Sequence, residues 1–145
     1  MKDVWFDWDE DTYTARCMIQ PQKNGPIFIG EAECHEDDLD MVSQRTGQEI
    51  AFRRAKIKQL QHMKNYEIKP QLAALKHLYG CMAHSSKFNP NSYENKTLQR
   101  HIRFLEFDLT TANEMIQYER ENLKAYIDDK DKMYKHIRKK RLGQE

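Results

Sequence analysis

The sequence predicts an α+β protein that is mostly helical, with a small three-stranded antiparallel sheet packed on helices and a long, coiled-coil-like C-terminal helix. Three observations lead to this fold class. Short segments of alternating apolar and polar residues come first, apolar residues at helical spacing follow, and no Gly or Pro interrupts the chain between Pro90 and Gly143. We therefore expect an N-terminal α+β domain over residues 1–88 and a dimerising helix over residues 89–145.

Three segments near the start of the chain have the alternation expected of half-buried strands. They cover residues 4–8, 12–19 and 27–34, and they are separated by turn-forming residues. In the third segment, Gly30 and Ala32 fall on one face, where small side chains let a helix lie close to the sheet.

In the region after the sheet, several residues mark where helices are expected to begin, bend or end. Thr46 and Glu49 have the spacing of a capping box, which predicts that a helix starts at Thr46. Pro70 is expected to interrupt or kink the helical pattern, and Gly80 is expected to lie near a helix end as a cap.

The long helix carries apolar residues at the a and d positions of a heptad repeat, interrupted at Glu119 and Lys130. Phe104, Phe107 and Tyr118 lie beside this seam. A helix of roughly 75 Å cannot bury the whole seam on one small domain, so either a second copy pairs with it or a long part of it binds another molecule. Of these two, we predict a homodimer of parallel or antiparallel sense. The predicted dimer seam comprises Leu98, Ile102, Leu105, Leu109, Ala112, Ile116, Leu123, Tyr126, Met133 and Ile137.

The charge is divided along the chain. Residues 1–40 contain 11 acidic and 3 basic residues, whereas residues 41–145 contain 21 basic and 12 acidic residues. This division indicates either a charged partner or two parts of the assembly that attract each other. The candidate partner-binding acidic residues are Asp7, Asp9, Glu10, Asp11, Glu36, Asp37 and Asp38, and the candidate basic residues are Arg53, Arg54, Lys135, Arg138, Lys139, Lys140 and Arg141.

Each charged group has two interpretations. Carboxylates interleaved with Trp5, Trp8 and Tyr13 could imitate nucleic acid and occupy a basic groove, or they could form a solvated face above an aromatic core. The basic residues could follow a phosphate backbone. Alternatively, those at the end of the long helix complement the helix dipole and pair with preceding aspartates.

We expect neither a metal site nor a cofactor. Cys34-His35 and Cys81-x-x-His84 supply residue types that zinc prefers, but neighbouring residues on a strand point to opposite faces. The odd number of cysteines, three, favours free buried thiols that fill the core. Carboxylates such as Asp37 can hold Mg²⁺, yet no nucleotide loop or nucleophile motif accompanies them, so we do not expect an enzyme.

A signal-peptide core and a membrane-spanning run are both missing from the sequence, which predicts a cytoplasmic protein without a membrane partner.

One part of the chain resembles a known group of proteins. Gly30-x-Ala32-x-Cys34, an acidic residue after a short gap within Glu36-Asp37-Asp38, Thr46-Gly47 and then Ile50-Ala51 with Arg54-Ala55 resemble a motif of small accessory proteins from phages of Gram-positive bacteria. The resemblance covers residues 30 to about 58. It implies a phage or prophage setting, a bacterial host cell and a strand-to-helix unit. Proteins of this kind are often inhibitors of host defence, including anti-CRISPR proteins, and this inference rests on association.

These observations lead to one leading hypothesis and two alternatives. The leading hypothesis is a phage-derived interaction protein that binds a host protein or ribonucleoprotein, such as a CRISPR effector, and inhibits it by steric or electrostatic occlusion. The first alternative is a nucleic-acid-binding accessory factor in phage replication or transcription. The second is a protein that sequesters a small ligand at a dimer interface.

Overall fold

The computed structural model describes residues 3–34 and 41–143. It confirms the predicted fold class, with a three-stranded antiparallel sheet in the order β1-β2-β3 followed by helices. The elements are β1 (Asp3–Asp9), β2 (Thr14–Gln20), β3 (Phe28–Glu33), α1 (Met41–His62), a π-helical segment (Met63–Ile68), α2 (Lys69–Ala83) and α3 (Tyr93–Arg141). The predicted single long C-terminal helix is therefore confirmed as α3.

By mutual contacts the chain forms two compact units. The first unit combines Met1–Gln59 with Gln117–Glu145, and the second unit is Leu60–Ile116. The first unit thus contains the sheet, most of α1 and the C-terminal part of α3. The predicted domain boundary at residue 88 stays a prediction.

The β1–β2 hairpin is shorter than the alternation of the sequence predicts. β2 begins at Thr14 rather than at Thr12, because Tyr13 adopts a left-handed backbone conformation with φ of 53°. A residue with positive φ cannot continue an extended strand, so the turn includes Tyr13. The Asp9 carboxylate holds the turn by accepting hydrogen bonds from the backbone N–H of Asp11 at 2.9 Å and of Thr12 at 3.4 Å.

The core of the first unit lies between the sheet and α1. Its buried residues are Ala15, Cys17, Ile19, Ala32, Ala51 and Ala55, and Trp8, Ile50 and Phe52 pack against them. Small side chains at this interface let the helix approach the strands closely. Gly30 shows how close, since a Cβ atom there would collide with the Ala51 carbonyl and would lie 2.6 Å from the Ala55 nitrogen.

The predicted helix start at Thr46 is wrong, because α1 begins at Met41. Thr46 is a buried residue inside the helix, and its hydroxyl accepts a hydrogen bond from Tyr134 Oη at 2.7 Å. Gly47 serves close packing instead of a turn, since an added Cβ would lie 2.8 Å from Cys34 Sγ and 3.2 Å from Ala15 Cβ. Thr46 and Gly47 therefore take part in tertiary packing and do not cap the helix.

Helical structure continues without a break from α1 to α2, and the interruption predicted at Pro70 takes the form of the π-helical segment. The proline ring clashes with the carbonyl four residues earlier in a regular α-helix. The wider π-helical turn precedes Pro70, which lies in the first turn of α2. The cap predicted at Gly80 is wrong, because α2 runs on to Ala83 and His84 is its C-cap residue.

The second unit is held by contacts between α2, the following loop and the N-terminal part of α3. The rings of Tyr79 and Phe88 meet edge to face with centroids 5.6 Å apart, and Gln99 Nε2 donates to Tyr79 Oη at 3.1 Å. Lys76 Nζ lies 3.2 Å from Glu106 Oε1. None of the helices in the described ranges is apolar over the length that a membrane span requires.

Candidate interaction surface on the sheet

One face of the sheet packs on α1, and the opposite face, here called the outer face, carries the candidate site. Side chains alternate along each strand, and residues paired across strands lie on the same face. Because Ala15, Cys17 and Ile19 are buried against α1, the intervening residues of β2 belong to the outer face. The register then defines the outer face by Asp3, Trp5, Asp7, Asp9, Thr14, Arg16, Met18, Gln20, Ile29, Glu31 and Glu33.

An apolar row crosses the middle of the outer face. Trp5 pairs with Met18, and Met18 pairs with Ile29. Trp5 remains 39% exposed and Ile29 remains 41% exposed, although both are large apolar side chains. An exposed indole ring beside aliphatic groups is the composition found at the centre of many protein interfaces.

Carboxylates lie on both sides of this apolar row along the strands, with Asp3 on one side and Asp7, Asp9, Glu31 and Glu33 on the other. Asp7, Arg16 and Glu31 form the next cross-strand row, in which Arg16 Nε lies 3.1 Å from Glu31 Oε1. The outer face, as defined above, has five carboxylates and one cationic side chain. Its charge therefore favours a basic partner.

The hairpin turn next to the outer face makes a testable prediction about pH. The backbone N–H of Asp11 donates a hydrogen bond to the Asp9 carboxylate and lowers the pKa of that carboxyl from its ordinary value. Because the folded pKa lies below the unfolded one, the ionised carboxylate stabilises the turn above the unfolded pKa, and this contribution is lost as pH falls through the folded pKa. We expect an NMR titration of the side-chain carboxyl of Asp9 to have a lower midpoint in the folded chain than in the urea-unfolded chain, and an equal or higher midpoint would contradict the turn geometry.

The structure separates the predicted acidic and aromatic residues. Asp7 and Asp9 belong to the outer face, whereas Glu10 and Asp11 are exposed residues of the hairpin turn. The predicted acidic residues Glu36, Asp37 and Asp38 lie outside the described residues. Of the three aromatic residues expected among the carboxylates, Trp5 is on the outer face, Trp8 packs against the core and Tyr13 is in the turn.

The basic residues predicted on α1 are engaged within the first unit. Arg53 Nε lies 3.0 Å from Glu49 Oε1, and the Arg53 guanidinium lies 5.0 Å from the centroid of the Tyr126 ring. Arg54 Nη1 donates to the backbone carbonyl of Glu31 at 2.7 Å. These contacts give Arg53 and Arg54 structural roles that do not require a nucleic acid.

Most of the basic residues predicted near the end of α3 are exposed to solvent. Lys135, Lys139 and Lys140 are exposed, whereas Arg138 and Arg141 take part in interactions within the protein. All five lie in the last two turns of the helix, where cations also complement the helix dipole.

The predicted dimer seam is buried or half-buried along its whole length within one chain. In the second unit, Ala112 and Ile116 are 1% and 5% exposed. In the first unit, the seam interruptions have partners from the same chain: Glu119 Oε1 lies 3.7 Å from Lys56 Nζ, and the Lys130 ammonium lies 5.5 Å from the Tyr126 ring centroid. The homodimer stays a prediction.

Cys17, Cys34 and Cys81 form no disulfide within the described residues, and Cys17 is the one that fills the core. Cys17 is buried, and this burial raises the pKa of its thiol. Cys34 is half-buried and Cys81 is exposed, so the expectation that both are core residues is wrong for Cys81. Its Sγ atom lies 3.6 Å from His77 Nε2 one turn earlier on α2. Among residues 3–34 and 41–143, no three potential metal ligands come together.

Each of the two units has a cleft within its described residues. In the first unit, a cleft of about 130 Å³ lies beside Cys34, Thr46 and Tyr134. In the second unit, an open groove of about 330 Å³ lies beside Tyr79 and Arg103. Ligand pockets for drug-sized molecules enclose about 300–1,000 Å³, so the first is small and the second is shallow. Neither adds support for ligand sequestration.

Sequence reasoning missed two features of the sheet. Met18 and Ile29 join Trp5 in one apolar row. The alternation of the sequence does not predict this row, because the register of all three strands must be known first. Arg54 and Lys58 reach the backbone of β3, and their spacing of one helical turn is the only sequence signal of this contact.

Together, the fold and the outer face define an α+β protein with an acidic sheet surface around an exposed apolar row. Comparison with known proteins adds no family to this description: no family model, no curated protein and no solved structure matches the chain.

Proposed function

We propose that this is an interaction protein that uses the outer face of its sheet to bind a basic surface of a macromolecular partner. The observation that carries the proposal is the apolar row of Trp5, Met18 and Ile29, in which Trp5 and Ile29 are exposed, together with the five carboxylates that share its face. The apolar row supplies area to bury, and the carboxylates supply attraction and orientation. The sheet is a rigid support for both because its other face is packed on α1.

The partner we propose is a host defence machine, such as a CRISPR effector, and the role is that of a phage-derived inhibitor. Effectors of this class hold nucleic acid in positively charged channels. An acidic surface with an exposed aromatic ring competes for such a channel by occlusion. The phage setting is supported by the resemblance of residues 30–58 to phage accessory proteins.

The proposal is tested with charge-reversed proteins of matched net charge. One variant carries Asp7→Lys and Glu33→Lys on the outer face, and the control carries Asp108→Lys and Glu114→Lys on exposed positions of α3. Each is used for affinity capture from nuclease-treated bacterial lysate and is added to purified guide-loaded effector during target cleavage. We expect capture and inhibition by the wild type and the control, and a loss of at least about tenfold in affinity for the outer-face variant.

Equal behaviour of the two variants would show that the outer face is not the binding surface. If the wild type neither captures a host protein nor lowers effector activity and phage restriction, the inhibitor proposal is wrong.

The alternative function, nucleic-acid binding in phage replication or transcription, rests on the exposed Lys135, Lys139 and Lys140. It predicts binding to DNA or RNA that weakens steeply with salt, and a shallower salt dependence for Lys139→Gln with Lys140→Gln. Binding that is absent at low salt, or unaffected by salt, would remove this alternative.

A further inference from the structure

The two edges of the sheet differ in how their backbone groups are satisfied. At the β3 edge, the carbonyl of Ile29 accepts a hydrogen bond from Lys58 Nζ at 2.6 Å, and the carbonyl of Glu31 accepts one from Arg54 Nη1 at 2.7 Å. Two side chains of α1 thereby occupy the outward carbonyls of Ile29 and Glu31. Side chains that cover an edge in this way hinder the pairing of a further strand.

The register identifies the backbone groups that β1 directs away from the sheet. The backbone carbonyls of Ile29 and Glu31 point away from β2, so the backbone groups of their β2 partners, Met18 and Arg16, point toward β1. There they form hydrogen bonds with the backbone of Trp5 and Asp7. The intervening residues Val4, Phe6 and Trp8 therefore direct their N–H and C=O groups to the open edge.

The hydrogen bonds of β1 agree with this assignment. Trp8 N–H donates to its neighbour Asp7 Oδ1 at 2.9 Å, as expected for an outward N–H without a strand partner. Within the described parts of the chain, no hydrogen bond joins the outward groups of Val4 or Phe6 to another residue. The β1 edge thus offers donors and acceptors for one more strand.

The side chains along this edge specify the chemistry of that strand. On the inner side of β1, Val4 and Phe6 are 39% and 47% exposed. On the outer face, Asp3, Trp5 and Asp7 follow one another along the strand. An added strand would place alternate side chains beside these two sets. We propose that the β1 edge binds an extended segment of the partner in which Lys or Arg residues alternate with apolar residues.

A second copy of the chain fits this edge poorly. Antiparallel pairing of β1 with another β1 over its full length brings Asp3 of one copy opposite Asp9 of the other. A shift of two residues brings Asp3 opposite Asp7, or Asp7 opposite Asp7. Like charges directly opposite each other destabilise strand pairing. A basic alternating segment instead places a cation next to each carboxylate. The inference rests on the proposed function and adds the conformation and sequence pattern of the segment that binds.

The test uses a synthetic seven-residue peptide of alternating Lys and Val, with blocked ends, and a peptide of the same composition with its Lys and Val residues in two blocks. Amide hydrogen exchange of the full chain is followed by NMR. We expect the alternating peptide to slow exchange at Val4 and Phe6 and to bind about tenfold more tightly than the block peptide.

A proline variant separates backbone pairing from charge attraction. Val4→Pro removes an outward N–H while leaving the groups of β1 that pair with β2. Val4→Ala is the control, because it also removes the valine side chain but keeps the backbone N–H. We expect peptide affinity to fall about tenfold for Val4→Pro and to change less than about threefold for Val4→Ala. Retained slow exchange at Trp5 and Asp7 confirms that the hairpin is intact.

Unchanged exchange at Val4 and Phe6 with saturating peptide, equal binding of the block peptide, or equal affinity of Val4→Pro would each overturn the inference. The capture experiment separates the two proposals. If Asp7→Lys with Glu33→Lys abolishes capture and Val4→Pro does not, the outer face binds without strand addition. If the peptide binds as expected but no variant affects capture, the edge is competent and the proposed function fails.

Discussion

Replacing Gly30 with alanine will destabilise the first unit by about 3 kcal/mol. A Cβ atom at this position collides with the Ala51 carbonyl and comes within 2.6 Å of the Ala55 nitrogen. Both are backbone atoms of α1, so no side chain can rotate away to relieve the contact. The helix must move outward, and the buried contacts of Ala51 and Ala55 with the sheet are lost in part.

The measurement is urea unfolding followed by tryptophan fluorescence, because Trp5 and Trp8 both belong to the first unit. Gly80→Ala is the matched control, since no atom lies within 4 Å of an added Cβ there and the position is inside α2. Gly80 lies in the second unit, and alanine there is expected to stabilise that unit by about 0.5–1 kcal/mol, as measured by circular dichroism at a helix wavelength, and to leave the fluorescence midpoint near that of the wild type. A wild-type midpoint for Gly30→Ala would mean that α1 does not lie on β3 as described.

Replacing Ile116 with glutamate will destabilise the second unit by about 3 kcal/mol, because it places a charge at a position that is 5% exposed. Phe104→Glu is the control, since Phe104 is 60% exposed and a charge there stays in water. Its effect is expected to be within about 0.5 kcal/mol. Thermal unfolding followed by circular dichroism at a helix wavelength measures both, and equal unfolding temperatures would contradict the burial of Ile116.

The predicted homodimer needs variants that leave the helix folded. Leu109→Gln alters a half-buried seam position, whereas Phe104→Glu with Phe107→Glu alters side chains that are 60% and 69% exposed. Sedimentation velocity then distinguishes the surfaces. If only Leu109→Gln dissociates the dimer, the seam is the dimer contact. If only the double phenylalanine variant dissociates it, the contact lies beside the seam. A wild-type chain that stays monomeric at all concentrations would show that the homodimer prediction is wrong.

Local pattern was sufficient for the fold class. Alternation in residues 4–8 and 27–34 indicated strands, and the small residues Gly30 and Ala32 indicated the face on which a helix lies. The uninterrupted stretch after Pro90 indicated α3. Each of these signals depends on backbone propensity or on one periodic face, which are properties of short segments.

Long-range contacts account for what the pattern did not predict. Thr46 looks like a helix cap in sequence, but its hydroxyl is bonded to Tyr134, which lies 88 residues away along the chain. Glu119 looks like a defect in the seam until Lys56 is found beside it. The residues of the outer face could be identified only from the register of three strands. Arg54, predicted to bind a partner, instead donates a hydrogen bond to the backbone of β3. Such pairings arise between distant segments, so no local window contains them.

The division of the first unit between two separate stretches of chain has a consequence for its synthesis. Residues 1–59 emerge from the ribosome before their partners at residues 117–145 exist. During that interval Lys56 has no Glu119 beside it, and Thr46 has no Tyr134. The sheet and α1 can form early because their contacts are nearer in sequence, whereas the second unit, Leu60–Ile116, is a continuous stretch and can complete its own contacts before the first unit is closed.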